Sequence, residues 1–289
     1  MTRSWLGRGL LQLVLPIGLV SLWWWTSADS TSFFYPPLSR IVESLQDDWI
    51  FERVASDVLP SLARFTAGYL IAAAAGIALG TLMGLAPRLR GASQPVTEFL
   101  RSIPPPLMLP FALAVIGIGN VSKIAVIALG SVWPVLLNTA DGVRGVDPQM
   151  LDMARSFGLD RRTQITRVIL PAASPQIAVG MRTALSIGLI LMVISEMMAS
   201  TNGLGFQVLN AQRSFDAAGT YAGVIVIGAV GLIVNFGFLV VERRIMRWHR
   251  GARGLLEEPT GRRLSGRATA TPLAHRSDVP VVRTEEILR

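Results

Sequence analysis

The chain has 289 residues, 51% hydrophobic and 16% charged, with a mean hydropathy of +0.48, which is too apolar and too sparsely charged for an ordinary soluble domain of this size. It contains no cysteine, which excludes disulfides, iron–sulfur clusters and thiolate metal sites. The net charge of +8 and isoelectric point of about 11.2 are compatible with a nucleic-acid partner, but the arginines crowd the gaps between long uncharged windows; the pattern is that of a lipid membrane protein with no nucleic-acid role.

In chain order, residues 1–9 carry Arg3 and Arg8 and lead into an apolar run at 10–25. The run suits a signal peptide or a first span, and Trp23, Trp24 and Trp25 favour a retained span, because indoles anchor at the membrane interface. Residues 29–57 are polar and acidic, with Pro36 and Pro37 ahead of an expected amphipathic helix bearing Ile41, Leu45 and Trp49. The run 58–86 is broken only by Arg64; at about 1.5 Å per residue its uncharged part, 65–86, crosses a hydrocarbon core of about 30 Å. Arg88 and Arg90 mark a tight polar return.

The third run, 102–122, is crowded at its start by Pro104, Pro105, Pro106 and Pro110. These remove backbone donors and preclude a regular helix, and irregular backbone at membrane depth persists only when buried in protein or lining a cavity. A fourth span covers 124–140 and contains Asn138. A fifth, 177–200, has Arg182 near its start and Glu196 near its end. Residues 201–220 are polar, with Gly203 and Gly205, and the sixth span, 221–241, runs into Glu242, Arg243, Arg244, Arg247 and Arg250. The expected fold is an all-α membrane protein of about six transmembrane helices. It divides into a first span with an external amphipathic segment (1–57), a core of five spans (58–250), and a tail (251–289) whose composition is that of a disordered segment. With both termini inside, only Arg40, Arg53, Arg64, Lys123 and Arg213 of the 27 Lys and Arg fall on outer segments, so the positive-inside rule favours N-in, C-in.

The interruption at 144–176 then faces the cytoplasm and has its own punctuation. Asp147 is placed to cap a helix with Pro148 at its first position. Gly158 stands where that helix stops, Asp160 caps a second short helix, and Pro171 closes the unit. With Arg144, Arg155, Arg161, Arg162 and Arg167 it reads as a docking device; basic loops between spans also serve simply as topology determinants.

The spacing within this loop resembles the EAA loop of ABC-importer permease subunits, in which Glu-Ala-Ala is followed after three residues by Gly, then after nine by Ile, and after one more by Leu-Pro. Asp152, Met153 and Ala154 occupy the first places, Gly158 the glycine, Val168 the isoleucine, and Leu170 and Pro171 the closing pair. Asp152 and Met153 depart from the pattern and keep helix-compatible character. Tyr35-Pro36-Pro37, Arg101-Ser102-Ile103-Pro104, Gly117-Ile118-Gly119 with Lys123, Asn138 with Gly142, and Glu196 ahead of Gly203-Leu204-Gly205 are similar to the nitrate/sulfonate/taurine class of these permeases.

The resemblance implies a type I, binding-protein-dependent importer of the cell inner membrane. Two permease copies, in this class a homodimer, form the path. ABC ATPase subunits bind ATP and Mg, and an extracytoplasmic substrate-binding protein delivers a small anion such as a sulfonate, taurine or nitrate. The docking helix, roughly 160–168, would lie in a groove on the ATPase, with Ile165, Val168 and Ile169 as its apolar face and Arg161 and Arg162 reaching carboxylates at the rim.

The chain itself offers no cofactor site and no enzyme chemistry. A phosphate loop needs Gly-Lys followed by Ser or Thr, and the sole lysine, Lys123, follows Ser122; His249 and His275 lie at or beyond the end of the last span. Glu196 is the ionisable residue most clearly inside a span, and such a group faces a cavity or a partner. It either lines or gates the path, or pairs with Arg213 or Arg64 to fix helix packing. Arg64 and Arg182 are expected to extend to their interfaces. Asn138 and the irregular stretch from Pro104 to Pro110 either line the path or accommodate tight crossings, and Gly76, Gly80 and Gly84 permit close helix packing. The alternative, a stand-alone secondary transporter or channel, would carry internal repeats and several mid-membrane ionisable groups.

Overall fold

The computed structural model describes residues 3–49 and 53–246, which are helical almost throughout. The expected tail, 251–289, lies outside the described residues. The helices are α1 (Arg3–Ser27), α2 (Leu38–Ser44), α3 (Leu59–Leu85), α4 (Pro87–Ser102), α5 (Met108–Ile116), α6 (Asn120–Arg144), α7 (Pro148–Ser156), α8 (Arg161–Thr163), α9 (Leu170–Ala199), α10 (Leu204–Arg213) and α11 (Ala217–Ile245). Wider-wound turns at Val54–Val58 and Gln164–Ile169 run straight into α3 and α9.

Among the described residues, four helical stretches are long and apolar enough to cross a membrane: Val54–Leu85, Asn120–Arg144, Arg161–Met198 and Ala217–Ile245. These correspond to the second, fourth, fifth and sixth expected runs. The apolar helix Val14–Ser27 is shorter. The third run is not a straight span. The chain breaks at Ile103 and Pro104, resumes as a single tight turn at Pro105–Leu107 and then as α5, and the two halves of the pair 87–102 and 105–116 are bent by 80°. The prolines act as expected, since each lacks the amide that would carry the helix across the break.

Two elements differ from the sequence reading. The return after α3 is a full helix, α4, whose start is fixed by Pro87 in its first turn and which Arg90 ties to Asp141 of α6 at 3.7 Å. Pro171 does not close the docking unit either, because the backbone stays helical from Arg161 to Ala199. The wider turn at 164–169 directly before the proline shifts the carbonyls that its ring would strike, so the helix passes through.

The core is the triangle of α3, α6 and α9. Its contacts are set by small residues. A side chain at Gly76 would meet Val135 at 2.7 Å, at Gly80 the Leu136 carbonyl at 2.5 Å, and at Gly84 Val143 at 2.7 Å. On the other side of α6, Gly180 of α9 lies against the Pro134 carbonyl and Asn138. Backbones this close gain dispersion contacts that lipid cannot compete for. Phe65, Tyr69, Ile127, Leu185 and Met192 fill the space between, and the Tyr69 hydroxyl donates to the Met181 carbonyl at 3.0 Å. The expected amphipathic segment forms α2 and the turn after it; Ile41 and Trp49 are buried, with Leu45 packed against the same cluster. The outer faces of α1 and α11, including Leu22, Leu232, Ile233 and Phe236, stay exposed and apolar, as a lipid-facing surface requires.

Candidate functional site

Two constellations lie at opposite ends of α6. At its C-terminal end, Val143 and Val146 join Ile169, Ala173 and Ile177 in a small buried cluster against which Leu151, Ile165 and Leu170 pack. This cluster holds the loop between α6 and α9 to the bundle. Asp147 caps α7 by accepting the Gln149 N–H at 2.8 Å. At the other end of α7, Gly158 adopts φ +67 while its own N–H donates to Arg155 and the Leu159 N–H donates to Ala154. That is the left-handed helix stop expected of glycine there. Asp160 then accepts from the backbone of Arg162 at 3.1 Å and Thr163 at 3.3 Å. Its carboxyl is held below the usual range, first by the Thr163 side chain and then by the Thr163 N–H, with a smaller contribution from the Arg162 N–H.

The apolar face of this loop differs from the sequence reading. Ile169 is buried and Ile165 half-buried in the cluster beneath, with Val168 intermediate between surface and interior. The outward apolar groups are Met150, Met153 and, at 79% exposure, Phe157. Ala154 is buried under α7, and Asp152 is exposed and paired with Arg155 at 3.1 Å. Arg161 and Arg162 are exposed beside them. The sequence did carry this signal: apolar side chains at 150, 153 and 157 recur at helical spacing within an otherwise polar stretch.

At the N-terminal end of α6, Glu196 is fully buried. Its carboxylate accepts from Arg64 Nη1 at 2.7 Å, from the Ser61 hydroxyl at 2.7 and 2.8 Å, and from the Gly205 N–H at 3.1 Å. Arg64, 5% exposed, does not extend to the interface as expected. The carboxylate holds it inside, together with Asn120 Oδ1 at 2.8 Å, the Asn202 carbonyl at 3.2 Å and Asn202 Oδ1. Of the two basic partners considered for Glu196, the geometry selects Arg64. Arg182, by contrast, stays half exposed and pairs with Glu242.

The turn after α9 is built around this carboxylate. Gly203 adopts φ +118, and a side chain there would meet the Glu196 carboxyl carbon at 2.5 Å. Asp57 accepts the Gly203 N–H at 2.7 Å and Gln207 Nε2 at 3.1 Å, while Ser61 accepts the Leu204 N–H at 3.0 Å. Asp57, Ser61 and Arg64 fall on one stripe of one helix, a polar line inside an apolar run that helical spacing makes legible.

Beside the network lies a cavity of about 490 Å³, lined by Arg64, Asn120, Lys123, Ser200 and Asn202 among others. Glu196 is not among the lining residues; Arg64 stands between them. Asn138 is not at this cavity. It sits at the α6–α9 crossing, accepting from Gln176 Nε2 at 2.9 Å and donating to the Pro134 carbonyl at 2.8 Å. Pro104 and Pro110 are exposed on the bent segment.

Residues 53–247 match the family of binding-protein-dependent transport system inner membrane components. The chain belongs to that family. It is therefore a multi-pass inner-membrane permease component. It is 34% identical over 194 residues to the putative aliphatic sulfonates transport permease protein SsuC of Bacillus subtilis, covering 67% of this chain and 70% of that protein. Over 253 residues it is 32% identical to the taurine transport system permease protein TauC of Escherichia coli, covering 82% and 90%. Among solved structures, a chain of the MetNI methionine ABC transporter, captured in inward-facing conformations, has the same fold at a TM-score of 0.57 and 17% identity, covering 65% of this permease and 94% of that chain.

Proposed function

We propose that this permease forms the translocation path of an ATP-driven importer for a small organic or inorganic anion of the sulfonate, taurine or nitrate kind. The observation that carries the coupling is the loop that joins α6 to α9, stopped and capped at Gly158 and Asp160 and presenting Met150, Met153 and Phe157 between exposed arginines. An apolar patch with a basic rim suits a groove with an acidic rim on a cytoplasmic ATPase. Two such ATPase subunits bind the ATP and Mg, a second copy of this chain completes the path, and an extracytoplasmic binding protein supplies the anion. Both termini lie in the cytoplasm. The family membership and the relatives named for sulfonates and taurine support this reading. Closure of the ATPase pair draws the loops together and tilts the attached helices, reversing the side to which the path opens.

In this reading Glu196 acts as a lock through Arg64, holding the turn at 200–205 against α3. Asn138 contributes a polar side chain at the α6–α9 crossing, and the Pro104–Pro110 stretch irregular backbone along the path, as irregular segments at membrane depth do.

The test is mass-spectrometric identification of what co-purifies with the tagged chain from its native membrane. The expected result is an ATPase and an extracytoplasmic binding protein, with anion uptake into vesicles dependent on ATP. Recovery of the chain alone, active without ATP, would replace this reading with a stand-alone secondary transporter.

A further inference from the structure

We propose that the cavity at the N-terminal end of α6 is a binding site for a small oxyanion, with Lys123 as its principal charge. Lys123 is the sole lysine among 27 basic side chains, it is 4% exposed, and it faces the cavity. Its ammonium has three N–H donors, and its hydrogen bond here goes to the Ser200 hydroxyl at 2.8 Å. A buried ammonium held by a hydroxyl, with no carboxylate against it, is unfavourable unless an anion joins it.

Of the neighbouring charges, Glu196 attracts Lys123 through space, but Arg64 opposes it more strongly. The charged groups lining the cavity are Lys123 and Arg64, with no carboxylate among them. Glu196 is engaged by Arg64, Ser61 and Gly205 behind the guanidinium. Asp57 lies across the 200–205 turn, where it accepts from Gly203, Gln207 and Ser56. Arg64 is itself immobilised by Asn120 and Asn202, so it contributes a fixed positive charge at no further cost in side-chain order.

The backbone adds to this. Helix α6 begins at Asn120 after Gly119, and no side chain caps it. Gly119 and Asn120 line the cavity, so the uncapped amides and positive dipole end of a 25-residue helix lie beside the two cations. The cavity is also lined by the apolar side chains of Ile118 and Met198. Cationic, polar and apolar groups lining one cavity match an anionic head group on a short carbon tail. The fold supplies the site; the reading as an anion importer supplies only the choice of probe.

The test uses the full chain in phosphatidylcholine nanodiscs, titrated with methanesulfonate and with its neutral isostere dimethyl sulfone, followed by ligand-detected NMR. Methanesulfonate is expected to bind saturably and dimethyl sulfone to bind far more weakly. Lys123→Met is expected to weaken methanesulfonate binding about thirtyfold or more, as removal of a buried charge partner does, whereas Lys123→Arg retains most of it. No saturable binding by the wild-type chain, equal binding of the neutral isostere, or undiminished binding by a folded Lys123→Met would each overturn the proposal. So would loss of methanesulfonate binding in phosphatidylglycerol nanodiscs, which would give the site to a lipid head group. If Lys123→Met fails to fold, the wild-type comparison of charged and neutral probes still decides. Recovery of the ATPase with the same chain is scored separately, so an importer without this site and a chain that is no importer give different results.

Discussion

Arg64 and Glu196 stabilise the fold only as a pair. Removing one leaves the other as an uncompensated buried charge, at a cost of about 3–5 kcal/mol in proteins generally. Glu196→Gln keeps one acceptor oxygen in place of two and leaves the guanidinium without its counter-charge, so a clear drop in the melting temperature of the purified chain is expected, with Arg64→Met and Glu196→Leu together recovering part of it. If Glu196→Gln leaves both melting temperature and uptake unchanged, the pair is neither a structural lock nor part of transport. Gly203→Ala strains a left-handed backbone and drives a methyl into the same carboxylate, so it is expected to mimic the loss of Glu196 with the ion pair's residues intact; the readout is again thermal stability in detergent. At Asp160 the sign follows from the direction of its shift. A carboxyl held below its ordinary value stabilises the folded form fully above that ordinary value, and the contribution is lost as pH falls through the lowered one. Amide exchange at Thr163, corrected for its intrinsic rate, is therefore expected to be flat from neutral pH down to the ordinary carboxylate range and to accelerate only below it. Asp160→Asn should remove that acid step. An early step in the wild type, or none lost in the variant, would exclude the cap. The sequence could show that Glu196 needed a partner and that Arg64 was a candidate. It could not show which, because that choice depends on which faces α3 and α9 turn to each other.

At the scale of elements, the punctuation of the docking loop was legible almost residue by residue, since caps and a glycine stop are local chemistry. The fate of Pro171 was not, because a proline in the first turn of a helix leaves it intact, and the wider turn at 164–169 brings the chain into α9 just ahead of it. The direction of Ile165 and Ile169 was also hidden. Both suit either an outward docking face or an inward anchor, and only the position of Val143 and Val146 on α6 settles which. The consequence is testable. Gly158→Arg, which demands φ +67 of a bulky residue, is expected to abolish ATPase recovery in a detergent pull-down while membrane insertion is unaffected. Phe157→Ala should weaken recovery without disturbing the loop, because its ring is exposed. Unchanged ATPase capture by both variants would remove the loop from the interface.

For the whole molecule, the apolar runs were enough to place the four long helices, and they failed where composition resembles a span but the backbone does not follow it. The stretch around Pro104 is apolar and bent by 80°, and α4 lies in what reads as a short return. The glycines spaced along α3 gave the right expectation of tight packing without naming the partner, which is α6. Gly80→Leu is expected to force α3 from α6 at the Leu136 carbonyl and Thr139, lowering the yield of folded protein; a normal yield and melting temperature would mean that this contact is not what holds the bundle. Helix α6 itself reaches from Asn120 at the cavity to Arg144 beside the docking loop, about 37 Å at 1.5 Å per residue. It is one continuous helix, with Pro134 inside it, and in the proposed importer it joins the anion site to the loop that meets the ATPase. Where α3 and α9 bear on it, glycines let them approach closely, with Val135, Thr139 and Val143 of α6 seated against Gly76, Gly80 and Gly84. A swing of about ten degrees about its midpoint carries each tip about 3 Å in opposite directions. In the proposed importer, such a tilt would therefore displace the cavity end and the loop end together, in opposite senses.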